Sequence, residues 1–129
     1  MPLDLNALRE KLIDSIHSDQ PAKDFFESRL SDPDLLLRLC AICAPFDVYS
    51  DDCRMEAAYY ISRYPGELLS QVLPLLIVIL TIPSQDGEDM NANIACHLIA
   101  AVRKGAPRFE GKIYPNLDEI AEQYGCKNG

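Results

Sequence analysis

The sequence predicts an all-α fold, arranged as stacked antiparallel helical pairs or as an irregular helical bundle. Three observations predict it. Apolar residues recur at helical spacing, and no stretch shows clear period-two alternation; the β-branched run Ile77-Val78-Ile79 is flanked by helical leucines. Turn signals divide the chain into about seven helices. One segment also occurs twice, over residues 35–64 and 73–101. Each copy reads as an apolar helix, a proline (Pro45 or Pro83), an acidic turn and an alanine-bearing helix, at a period of about 37 residues.

The elements follow in order. Asp4 is placed to cap a first helix over residues 5–15, with Leu5, Leu8, Leu12 and Ile16 on one stripe. Ser18-Asp19-Gln20-Pro21 is a turn, with Pro21 pre-set for a first helical position. The short helix after it, to Leu30, should bury Phe25, Phe26 and Leu30. Ser31-Asp32-Pro33 repeats the start signal. The helix over 34–44 is apolar on nearly every side, which implies burial on more than one face. Pro45 ends it, because proline lacks the amide donor and clashes with the preceding turn.

An acidic loop over 46–52 leads, with Ser50 or Asp51 as cap, into a helix over 53–64. That helix carries Ala57, Ala58, Ile61 and Tyr64 on one face, and Pro65-Gly66 breaks it. A long apolar helix over 67–81 is expected next, kinked at Pro74. After a second acidic loop, Asp89 is placed to cap a helix to Lys104. Ile94, Ala95, Leu98, Ala101 and Val102 should face inward, with Arg103 and Lys104 suited to the helix C-terminus. A final helix over 117–124 ends at Gly125, a residue suited to a left-handed cap.

Leu73-Pro74-Leu75-Leu76 resembles the leucine- and proline-bearing first helix of a HEAT or armadillo-type repeat. Asp51-Asp52-Cys53-Arg54-Met55-Glu56-Ala57-Ala58 resembles the Asp, Arg and paired-alanine turn into the second helix. In the second copy Asp89 and Ala95 keep matching offsets, whereas Asn91 and Ile94 stand where Arg54 and Ala57 would be. The resemblance covers about residues 32–104 and implies stacked helical pairs that bind other macromolecules.

Length and composition bound the function. The 129 residues should form one helical domain over 1–129, with 48% apolar and 25% charged residues. The net charge of -8 argues against nucleic acid and against anionic membranes. Residues 64–102 hold four acids and no Lys or Arg. The longest apolar stretch, residues 68–82, is shorter than the ~20 residues of a membrane span. The start of the chain lacks a basic head and apolar run. Of the five cysteines (Cys40, Cys43, Cys53, Cys96 and Cys126), four lie in apolar helical contexts. That pattern fits reduced thiols in a cytoplasm better than a disulfide framework.

No catalytic set is legible. Cys40-Ala41-Ile42-Cys43 has CxxC spacing but lies in an apolar helix without a second close pair, so buried structural cysteines are expected there, with no metal or cofactor. His17 and His97 are the two histidines, and neither forms part of a hydrolase motif. Cys96 and His97 are adjacent and point about 100° apart on a helix, so they make no nucleophile pair; His97 reads as an interface or groove-lining residue.

The acidic loops are the candidate sites. Asp47, Asp51, Asp52 and Glu56 form one cluster and Asp86, Glu88 and Asp89 the other, with no calcium-loop frame. Helix capping accounts for some of these acids. Tyr49, Tyr59 and Tyr60 neighbour the first cluster, and tyrosines beside acids suit an interface. In a stacked array both clusters would share one edge. The expected function is non-enzymatic binding of a basic protein partner, in the manner of an immunity or inhibitor protein that occludes a toxin or nuclease. The alternative is a helical-repeat adaptor or a subunit of an oligomeric assembly.

Overall fold

The computed structural model describes residues 4–44, 50–81, 91–105 and 117–126. Eight helices occur among them: α1 (Leu5–Ile16), α2 (Gln20–Glu27), α3 (Pro33–Cys43), α4 (Asp51–Arg63), α5 (Gly66–Leu69), α6 (Leu73–Thr81), α7 (Ala92–Gly105) and α8 (Leu117–Gln123). The described residues contain no strand. The fold is all-α, an irregular helical bundle, and none of its described helices is long and apolar enough to cross a membrane.

Short polar side chains set the starts of α1 to α4, each accepting from an amide that the first turn leaves unpaired. Asp4 Oδ1 accepts from the Ala7 amide at 2.7 Å, and Asp19 Oδ2 from Ala22 at 3.0 Å. Asp32 Oδ1 accepts from Asp34 and Leu35 at 3.0 and 3.4 Å. Ser50 Oγ caps α4 through the Cys53 amide at 3.3 Å. The expected cap Asp89 lies outside the described residues; Asn91 Oδ1 accepts from Asn93 at 2.8 Å at the start of α7.

The expected long helix over 67–81 is instead two helices. The Gln71 and Val72 amides donate three residues back, to Leu68 and Leu69 carbonyls, and close α5 in a turn. Pro74 then occupies the first turn of α6, where its missing amide costs no helical bond, so it starts a helix and kinks none. The stripe of α1 differs too. Leu8, Leu12 and Ser15 are buried, whereas Ile16 is 37% exposed.

Helix α4 is the centre of the bundle. It packs on α7, α3 and α1, and buries Cys53, Arg54, Ala57, Ala58, Tyr60 and Ile61. The small alanines let neighbouring backbones approach. The doubled segment thus forms two contacting pairs, α3 with α4 and α6 with α7, and the pairs meet through α4 and α7. Beyond the end of α4, the buried Tyr64 hydroxyl donates toward the Arg29 and Asp32 carbonyls at 3.0 and 3.1 Å, fixing the turn between α2 and α3. The buried Arg54 guanidinium donates to the Cys43 carbonyl at the end of α3 and to Asp51 Oδ1 at 3.3 Å. That serves carbonyls a helix end leaves free. Helices α5 and α7 meet at glycines. A Cβ at Gly66 would stand 2.8 Å from the Lys104 carbonyl oxygen, and one at Gly105 3.0 Å from the Leu69 backbone.

The expectation that all the thiols are reduced is corrected at one pair: Cys96 and Cys126 form a disulfide. Its cause is the end of α8. Gly125 adopts φ +72°, the Gly125 amide donates to Glu122 and the Cys126 amide to Ala121, the paired bonds of a Schellman cap. This turn folds Cys126 back onto α7, where Cys96 lies. Cys40, Cys43 and Cys53 are free and buried. Burial pushes Cys40 up to about 12 and Cys53 up to about 11, and Cys43 well above its ordinary value. Such protonated thiols are poor nucleophiles and poor metal ligands. The described residues hold no group of three or more metal-ligating side chains.

Candidate functional site

An open groove of about 490 Å³ runs between α2 and α4 and reaches α7. Helix α2 supplies Gln20, Lys23 and Glu27, spaced to line one face. Helix α4 supplies Met55, Glu56, Tyr59 and Tyr60, and α7 supplies His97. The volume lies within the range of small-molecule and side-chain pockets.

The floor is a buried polar relay. Ser15 Oγ donates to Glu56 Oε2 at 2.6 Å and lies 2.7 Å from the Tyr60 hydroxyl. Because the serine has one proton and gives it to the carboxylate, the tyrosine must donate to the serine. Tyr60 stacks on Phe26 with centroids 4.5 Å apart and angled 21°. Burial raises its pKa, the Ser15 bond opposes that, and the carboxylates of Glu56 and Glu27 add to it. Tyr60 therefore stays a neutral donor. Ser15 is 1% exposed with both neighbours satisfied, so it braces Glu56 and is covered against attack on a substrate.

The walls differ in character. Tyr59 meets Tyr60 at 5.1 Å and His97 at 5.9 Å, both edge-on. Burial lowers the His97 pKa, with the Glu56 charge opposing, so the ring is neutral at pH 7. At the outer lip Arg63 Nη1 donates to the Tyr59 hydroxyl at 3.0 Å, and Nη2 pairs with Glu27 at 2.8 Å. The guanidinium carbon also lies 5.8 Å from the Tyr59 ring centroid. One edge of the groove therefore already holds a cation between a tyrosine and a carboxylate.

The expected site residues divide into three sets. Glu56, Tyr59 and Tyr60 come together in the groove, but Tyr60 is 2% exposed, so it is a packed floor residue and offers a partner almost no surface. Asp51 and Asp52 are exposed in the first turn of α4; Asp51 pairs with Arg54, and Asp52 lies one turn from Glu56 on the same face. Asp47, Tyr49, Asp86, Glu88 and Asp89 lie outside the described residues. His97 lines the groove, as its position suggested. Gln20, Lys23, Glu27 and Ser15 escaped the sequence reading. A serine seven residues after Leu8 on the apolar stripe was the available signal for Ser15.

No protein-family model, no curated protein and no solved structure matches this chain.

Proposed function

We propose that the chain is a non-enzymatic binding module for a basic protein partner, captured at the groove of Glu56, Tyr59 and His97. The observation that carries this reading is the groove's own outer lip, where Tyr59 and Glu27 already hold the Arg63 guanidinium. A partner's arginine or lysine would find the same chemistry deeper in, with a tyrosine ring, a braced carboxylate and the apolar Met55. Asp52 and the net charge of -8 would steer a cationic surface toward it. In its specific form this is the action of an immunity or inhibitor protein that masks the cationic cleft of a toxin or nuclease.

Asp51 and Glu56 are tied into the fold; the probes are Asp52→Lys and Tyr59→Ala, the second checked for an unchanged melting temperature because Tyr59 also packs on Tyr60 and His97. Tagged full-length chain should capture a basic protein from its native lysate and release it at high salt. Each variant should weaken the measured affinity by about thirtyfold, the effect of losing a hot-spot contact of about 2 kcal/mol. Equal affinity for both variants would remove the groove as the site. Capture of the chain itself would favour the assembly-subunit reading, for which the exposed Leu75 and Val78 of α6 speak.

A further inference from the structure

The five cysteines fall into two chemical classes. Cys40, Cys43 and Cys53 are buried with their thiols held protonated, and no reagent in water reaches them without unfolding. Cys96 and Cys126 are only partly buried, and they are joined to each other. Their bond spans 30 residues and links the first half of α7 to the turn that ends α8.

Among the described residues, α8 and its end bury little besides this bond. It is seven residues long, well below the length at which an isolated helix is stable. Its main neighbour is α7. Ala121 is its one fully buried side chain among those described, with Ile120 and Tyr124 partly covered. By contrast α4 and α7 bury many large side chains against several helices. A short helix with one fully buried side chain among those described is therefore fastened to α7 by a partly buried disulfide.

We propose that Cys96–Cys126 is a thiol–disulfide exchange site, and that its reduction by a low-molecular-weight thiol releases α8 from α7 while the α1–α7 bundle stays folded. The thiolate of the reductant attacks one of the two sulfurs, the S–S bond breaks, and the departing cysteine takes a proton from water. A second reductant thiol resolves the mixed disulfide. Two electrons pass from the reductant, which ends as its own disulfide, and Cys96 and Cys126 end as thiols. Release bares the stripe of α7 that carries Cys96, one residue from the groove residue His97.

The test uses the full chain equilibrated with oxidised glutathione, then divided and treated or not with dithiothreitol. In the folded protein, alkylation should label no cysteine before reduction and two after it; unfolding without reductant should expose the three free thiols. Hydrogen exchange read by mass spectrometry should show residues 119–126 losing protection by on the order of a hundredfold on reduction. The amides of α4 should keep theirs. Cys126→Ser should match the reduced state without reductant, and if it folds poorly the dithiothreitol series on the native chain gives the same reading. Equal protection of residues 119–126 in both redox states would overturn the proposal. So would five reactive thiols in the unfolded, glutathione-equilibrated chain, or collapse of α4 protection together with α8.

Discussion

Ser15 shows how one polar residue on an apolar stripe can organise a site. It bridges Glu56 on α4 to Tyr60 one turn along, through a part-buried bond to the acid and a buried one to the tyrosine. Removing one member of such a bridge is costlier than removing the donor at its end, because the survivor is left buried without a partner. Ser15→Ala strands the Tyr60 hydroxyl and should cost about 2 kcal/mol. Tyr60→Phe leaves Ser15 bonded to Glu56 and should cost about 1 kcal/mol. The double variant should lose less than the sum of the two, in a cycle measured by urea unfolding. Strict additivity would show that the relay is not one unit. The groove was partly legible at this scale. Glu56 and Tyr59 stand out as an acid beside tyrosines. Lys23 and Glu27 do not, because their role depends on how α2 lies against α4, which no local pattern encodes. Tyr60 could not be separated from Tyr59 by spacing alone, since neighbouring positions on one helix straddle the border between core and surface.

Helix starts were the most legible elements, because a capping side chain and its amide are three residues apart or fewer and local sequence decides them. Asp4, Asp19 and Asp32 cap where their turns announce it. Pro74 was ambiguous for a physical reason. The same residue kinks a helix from within and opens one from its first turn, and the apolar letters on both sides suit either outcome. The disulfide was illegible because it needs two folding events, the left-handed turn at Gly125 and the docking of α8, that its spacing of 30 residues does not express. The contact of α5 with α7 offers a test on this scale. An alanine for glycine in a helix ordinarily stabilises by up to about 1 kcal/mol. Gly66→Ala should do the reverse, because its methyl would sit 2.8 Å from a backbone oxygen of Lys104 that cannot rotate away. A loss of about 1–3 kcal/mol is expected by thermal or urea melting, with α5 displaced from α7.

Across the molecule, burial holds several weak acids protonated, and this sets a pH limit. Cys40 is pushed up to about 12 and Cys53 up to about 11, and Cys43, Tyr60 and Tyr64 are raised as well. Each raised pKa means that the unfolded chain gives up its proton first. The stability these groups contribute is whole below the ordinary thiol value of 9.0 and is lost as pH climbs toward 11–12. Denaturant midpoints should be level near pH 8 and fall steeply above pH 9, and Cys53→Ala should flatten part of that fall. A flat profile to pH 11 would contradict the burial of these thiols. Helix α4, enclosed by α1, α3 and α7, carries a different implication. Cys53, Arg54, Ala57, Ala58, Tyr60 and Ile61 are buried positions of that helix and Tyr64 is buried just beyond it, whereas Asp52 and Arg63 are exposed. In any lineage that shares this architecture, drift should therefore be slowest in the spacing C-R-x-x-A-A-x-Y-I-x-x-Y. That twelve-residue signature is the trace by which a distant cousin would be recognised after the remaining surface had diverged beyond alignment.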